Sequence, residues 1–218
     1  DKSFRDASEE ESELYADMKV ALVNGEFVPW FQPQYNYVTG SLKSAEALVR
    51  WVHPVKGLVS PAKFIPFFEK NDLIYELDKC VWEKTCMYLR KWIDAGLNIS
   101  SVSVNVSRRD LFKPDLVETF KNYLKKYDLK PSMLHVELTE SAYVEDSEQL
   151  IEVVRQLQEM GLSVEMDDFG SGYSSLNMLK EVPVDFLKLD MGFMSKSGNQ
   201  GKGGKILSAI VRMAHHLD

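Results

Sequence analysis

The chain has 218 residues, 44% hydrophobic and 27% charged, with a formal net charge of −7. That length can bury one sizeable core, and the acidic balance argues against the basic footprint needed to bind a nucleic-acid polymer. No apolar run approaches the ~20 residues of a membrane span, and no basic segment followed by an apolar core opens the chain, so the reading is no signal peptide, no membrane contact and a cytoplasmic location.

Ser8 and Glu11 stand at capping-box spacing, Glu9 to Glu11 read as a solvated helix start, and Leu14, Met18, Ala21 and Leu22 follow at helical intervals. Residues 1–24 are therefore expected to form a connector helix ahead of one domain over 25–218. The segments FVPWFQPQYNY and LKSAEALVRW, joined by a Thr39-Gly40 turn, predict a hairpin-like pair of strands. Ser60-Pro61 opens a short helix through Phe68, because proline suits the first helical position. A long helix runs from about Asp72 to Ala95, with Leu77, Val81, Thr85, Tyr88 and Trp92 as its packed stripe and Gly96 as its stop.

Beyond Gly96 the pattern alternates. Strand SVSVNVS precedes a helix near Asp115 to Lys125, and strand LHVELTE precedes a helix capped by Asp146 that buries Leu150, Val153, Val154 and Leu157. Strand SVEMDDF precedes a short helix at Ser174 to Lys180, and strand FLKLD leads through a glycine-rich connector to a final helix from about Lys205. Strands separated by helical crossovers predict a parallel sheet in an α/β fold. Cys80 and Cys86 lie too far apart on one helix to bond to each other and lack metal-ligand spacing, so they read as core or surface thiols.

Four of the apolar strands carry an acid or amide where a buried strand should have none: Glu46, Asn105, Glu137, and Asp167 with Asp168; a fifth carries Lys188. Side chains alternate across a strand. Glu46, Leu48 and Arg50 oppose Ala45, Ala47 and Val49; Asn105 opposes Val104 and Val106; Glu137 opposes Val136 and Leu138; Asp167 opposes Val164 and Met166; Lys188 and Asp190 oppose Leu187 and Leu189. An isolated carboxylate in an apolar interior costs several kcal/mol, so acids gathered on one face point to a divalent-metal site. They also stand late in their strands, where a β/α barrel places its active site. Six strands are counted, against the eight in about 250 residues of a complete barrel.

Seven ordered blocks resemble the EAL-domain family of cyclic di-GMP phosphodiesterases: Phe31-Gln32-Pro33, Glu46-Ala47-Leu48 with Arg50-Trp51, Ser60-Pro61 with Phe64-Ile65-Pro66, Ser103 to Ser107, Glu137 to Ser141, Asp167 to Leu176, and Lys188-Leu189-Asp190. The resemblance implies a modified (β/α)8 TIM-like barrel with an antiparallel first strand, hydrolysing cyclic di-GMP to linear pGpG with Mg²⁺ or Mn²⁺. Glu46, Asn105, Glu137 and Asp167 would hold one ion, and Asp167 with Asp168 a second, an all-oxygen set that suits hard cations. Lys188 would orient or deprotonate the attacking water. Arg50 would contact a phosphate or guanine, Gln32, Leu48 and Asp190 would line the pocket, and Glu140 would anchor the loop after Asp168, whose Gly170 and Gly172 let the backbone re-aim.

The family also carries a later strand with a glutamate near a Glu-Gly-Val-Glu sequence and a glutamine on its last strand, whereas this chain ends at His215-His216-Leu217-Asp218. The 218-residue polypeptide alone is accordingly expected to turn over little cyclic di-GMP. A non-hydrolysing cyclic di-GMP-binding regulatory module and a purely structural domain remain the competing functions. By the same resemblance, a homodimer through barrel faces and fusion behind a sensory or diguanylate cyclase-like domain are expected.

Several residues carry plainer readings. Outside that constellation Lys188 would be a salt-bridge lysine, and Arg50 would pair with an acid on its own face. His53 reads as a turn residue, and His135, His215 and His216 lack ligand spacing and take no metal role. The segment SGNQGKGGK lacks the lysine-serine/threonine step of a phosphate loop and reads as a flexible connector. Trp30, Trp51, Trp82 and Trp92 read as core, and Phe64, Phe67 and Phe68 as helix packing rather than a wall for guanine.

Overall fold

In the computed structural model, which describes residues 15–139, 147–170, 181–190 and 202–214, the opening apolar stripe becomes helix α1 (15–24). The Ser8-Glu11 capping box, Glu140, the Asp146 cap, Gly172 and the helix expected at Ser174 to Lys180 lie outside the described residues. The chain divides into two compact units, Asp1–Asn105 with Glu118–Leu134, and Val106–Val117 with His135–Asp218.

In the first unit, strands β1 (Phe27–Tyr35) and β2 (Leu42–His53) pair antiparallel, joined by a turn over Asn36 to Ser41. Asn36 shapes that turn by accepting the backbone N–H groups of Val38 and Thr39 on its side-chain oxygen, both at 2.9 Å. A three-residue strand β3 (Gly57–Val59) pairs antiparallel with the end of β2, and β4 (Ser101–Asn105) pairs parallel with its start. The first strand thus runs against its neighbour, as expected. Strand β3 was not: three residues are too short to show an alternation, and the pairing depends on the turn at His53. The Nδ1 of His53 accepts the N–H groups of Val55 and Lys56 at 3.0 and 3.1 Å, which fixes the turn that folds β3 back.

Helix α2 (Pro61–Lys70) follows, then α3 (Ile74–Asp94), and later α4 (Leu116–Lys126). On α3 the expected stripe is buried at Leu77, Val81 and Thr85, while Tyr88 and Trp92 are half-buried with their rings edge-on to Phe31 at 5.5 and 4.6 Å. The core of this unit is aromatic. Phe27 meets Trp51, Phe64 and Phe68 at centroid distances of 5.2, 5.4 and 5.2 Å, and Met18 and Ala21 of α1 close the same cluster. Each large side chain removed from water there contributes about 1.5–3 kcal/mol. The chain turns from α1 into β1 at Gly25, whose φ of +74° favours glycine. Lys84 from α3 secures the turn by donating to the Gly25 carbonyl at 2.8 Å and to that of Phe27.

In the second unit, β5 (Leu134–Thr139), β6 (Ser163–Phe169) and β7 (Phe186–Leu189) pair parallel in chain order. Helix α5 (Ser147–Glu159) buries Leu150, Val154 and Leu157, and the last helix, α6 (Lys202–Ala214), begins three residues before the expected start. Gly203 and Gly204 are therefore helical rather than part of a flexible connector: glycine costs a helix only about 1 kcal/mol, which the amphipathic run behind it offsets. Among the described residues no helix is long and apolar enough to cross a membrane. Cys80 is half-buried and Cys86 buried, both as free thiols.

Candidate active site

Each unit gathers part of the residue set singled out by strand alternation. In the first, register pairs Glu46 with Gln32 on β1 and with Ser103 on β4, so Gln32, Glu46, Ser103 and Asn105 occupy one face of the sheet. Ala45, Ala47, Val102 and Val104 fill the opposite face at no more than 4% exposure. Asn105 Nδ2 donates to Glu46 Oε1 at 3.3 Å, while the Asn105 carbonyl accepts the Trp82 indole N–H at 2.9 Å. A buried tryptophan of α3 thereby fixes the end of β4 that presents the amide.

Leu48 and Arg50 continue the polar face, opposite Trp30 and Val28 of β1. The Arg50 guanidinium lies 5.7 Å from the Trp30 ring centroid, and its Nη1 donates to the Val49 carbonyl at 2.8 Å. Trp51 and Trp82 are fully buried and Trp92 packs on Phe31, as read from the sequence, but Trp30 is 51% exposed. Strand alternation puts Trp30 on the face of Leu48 and Arg50 and away from Phe27, Pro29 and Phe31, whose side of the strand carries the ring packing. Phe64 and Phe68 are core, as expected.

In the second unit, Glu137 is 1% exposed on β5, between Val136 and Leu138 at 0%. A carboxylate so placed needs a positive partner, and Lys188 of β7 supplies it, its Nζ against Glu137 Oε2. Lys188 Nζ also lies 3.5 Å from Glu165 Oε2 on β6, and the other oxygen of Glu165 is 2.5 Å from His135 Nδ1. What the structure shows of Lys188 is its plainer reading, a lysine ion-paired to carboxylates of two strands. Asp167, half-buried, pairs in register with Thr139 at the end of β6, and Asp168 is exposed with a φ of +55°. Such left-handed backbone on a non-glycine residue is uncommon and concentrates at functional sites. Gly170 follows at φ +93°, and the half-buried Asp190 donates its backbone N–H to the Phe169 carbonyl at 3.3 Å.

Glu165 was missed in the sequence although it has the parity of Asp167: its neighbours Val164 and Met166 are both fully buried on the other face. His135, given no metal role, is Glu165's partner, with its ring stacked 5.3 Å from Phe186. Within either unit, among the described residues, no cluster of three or more His, Cys, Asp or Glu side chains has metal-holding geometry. The structure brings together Glu46 with Asn105, Arg50 with Trp30, and Glu137 with Lys188; Glu140 is outside the described residues.

Parallel strand pairs in each unit, carrying an acid and an amide in the first and acids and a lysine in the second, are the pattern of the α/β class whose active sites collect strand-end side chains. The comparisons make it specific: residues 16–218 match the EAL domain family, and the chain belongs to it. It is 34% identical to the bifunctional diguanylate cyclase/cyclic di-GMP phosphodiesterase MucR of Pseudomonas aeruginosa over 218 residues, all of this chain and 32% of that protein. It is 36% identical to the cyclic di-GMP phosphodiesterase PdeR of Escherichia coli over 205 residues, 94% of this chain and 31% of that one. The chain therefore spans about a third of the length of these curated relatives. Among solved structures, the PaMucR phosphodiesterase in complex with c-di-GMP superposes with a TM-score of 0.85 at 35% identity, covering 94% of this chain and 83% of that one. The EAL enzyme Bd1971, with cAMP and cyclic di-GMP bound, superposes at 0.87 and 28% identity, covering 97% and 58%.

Proposed function

We propose that this chain is the hydrolytic domain of a cyclic di-GMP phosphodiesterase that yields linear pGpG, within a longer cytoplasmic signalling protein. The observation that carries the reading is the Glu137 carboxylate, buried to 1% exposure and matched by a lysine ammonium, in a chain of the EAL family. An ammonium beside a buried carboxylate is what a site made for cations tolerates. The donor set Glu46, Asn105, Glu137, Asp167 and Asp168 is all oxygen, which fits Mg²⁺ or Mn²⁺ and disfavours softer metals. Two such ions, when bound, would supply Lewis acidity and neutralise charge on the phosphate.

The chain's own residues do the rest. Asn105, with its Nδ2 on Glu46, has its side-chain oxygen as the atom able to face a cation. Lys188, as an ammonium, orients the attacking water by donating a hydrogen bond to its oxygen, and takes a proton from it only in the neutral amine form. The water oxygen bonds to phosphorus, the P–O3′ bond breaks, and the 3′ oxygen leaves with a proton. Arg50 binds a phosphate or a guanine, with Gln32, Leu48 and Asp190 lining the ligand pocket.

The test is labelled cyclic di-GMP with Mn²⁺ and the full-length polypeptide that carries this chain. Accumulation of pGpG supports hydrolysis, and binding without product would assign a sensing module instead. Calorimetry with Ca²⁺ in place of Mn²⁺ separates that outcome from a domain that binds nothing.

A further inference from the structure

We infer that Glu165, held by His135, is a positioning residue for Lys188, keeping the ammonium aimed when Glu137 is engaged by a cation. The inference rests on the hydrolytic reading above and adds to it a pair that strand-end acids alone do not reveal. Three adjacent parallel strands build the arrangement: register sets Glu137 beside Glu165, and Glu165 beside Phe186, two residues before Lys188. Lys188 Nζ touches Glu137 and lies 3.5 Å from Glu165, and the Glu165 side chain is 8% exposed with its second oxygen 2.5 Å from His135 Nδ1. His135 is itself fixed, its ring lying 16° from parallel with Phe186.

A lysine ammonium is a point charge on a flexible four-carbon stem, so one carboxylate sets its distance but not its direction. Two carboxylates from neighbouring strands set both. Glu137 has a second role in the proposed site, as a ligand to a cation; in that state its charge is shared, and Glu165 remains with Lys188. The 2.5 Å contact to His135 keeps the Glu165 carboxylate from swinging away. A positioning group of this kind typically changes activity 10- to 100-fold, by about the amount seen for other groups that orient a ligand or a base.

The experiment compares the full-length polypeptide with Glu165→Gln, Lys188→Ala and the double variant. Glu165→Gln keeps the side chain's shape and can still hydrogen-bond His135. The expected result is a kcat lowered about 10-fold with KM, cyclic di-GMP affinity under Ca²⁺, and melting temperature all near wild type. The same substitution in the Lys188→Ala background is expected to change the residual rate less than twofold. A kcat within twofold of wild type, an equal loss with or without Lys188, or a loss that tracks a lowered melting temperature would overturn the inference. A second readout needs no turnover: in ¹³C-lysine-labelled protein the two ε-protons of Lys188 are expected to be inequivalent, and to become equivalent in Glu165→Gln. If wild type neither binds nor hydrolyses cyclic di-GMP, the hydrolytic reading falls and this spectrum still decides the Glu165 contact; unchanged inequivalence in Glu165→Gln would overturn it.

Discussion

Glu137 and Glu165 sit in strands flanked by fully buried valine, leucine and methionine, and each is tolerated because a cationic or imidazole group meets it. Asp168 holds a different kind of strain. Its φ of +55° is conformationally costly for a residue with a Cβ, and glycine would adopt it without that cost. Asp168→Gly is therefore expected to leave stability within about 1 kcal/mol of wild type, since relief of strain offsets the extra entropy of glycine in the unfolded chain. Metal-dependent turnover by the same variant should fall at least about 10-fold if the carboxylate is a ligand. Chemical denaturation and a turnover assay on one preparation check both halves, and unchanged turnover would remove Asp168 from the site. Cys86 gives a pH test. Burial pushes its thiol up to about 12 from an ordinary 9.0, with Glu83 adding in the same direction. The fold favours the neutral thiol, so its contribution is fully present below pH 9.0 and is lost as pH rises through the folded value. The urea midpoint is expected to fall between pH 9 and about 11 more steeply in wild type than in Cys86→Ala, and equal slopes would contradict the assignment.

At the scale of elements, α1 is the most informative. Met18 and Ala21 are fully buried in the cluster of Phe27, Trp51, Phe64 and Phe68. Met18→Ala should destabilise the first unit by about 2–5 kcal/mol, measured by denaturant titration, whereas a loss below about 1 kcal/mol would mark α1 as a detachable connector. The sequence made most elements legible because their periods are clean: the stripe of α3 and the alternation in β2, β4, β5 and β6 each read one way. Strand β3 and the start of α6 were not legible, the first because it depends on hydrogen bonds to His53 and the second because two glycines lowered the apparent helix signal. In the candidate site, alternation marked Glu46, Asn105, Glu137, Asp167 and Lys188, and the structure pairs Glu46 with Asn105 and Glu137 with Lys188. The same rule would have marked Glu165, but an acid two positions before an Asp-Asp pair draws less notice than the pair. Trp30 was read as core because tryptophan is usually buried; only the register against Leu48 and Arg50 shows that it faces the other way.

For the whole molecule, the account stands on family membership joined to the roles proposed for the strand-end acids and Lys188. The chain matches the EAL domain over residues 16–218 and superposes on the PaMucR phosphodiesterase with a TM-score of 0.85. What decides the matter is turnover of cyclic di-GMP by the full-length polypeptide, followed with Mn²⁺ present, with Mn²⁺ chelated, and in the Glu46→Ala variant. The prediction is linear pGpG formed only with the metal and lost in the variant; pGpG formed equally after chelation, or no pGpG despite tight cyclic di-GMP binding, would contradict it.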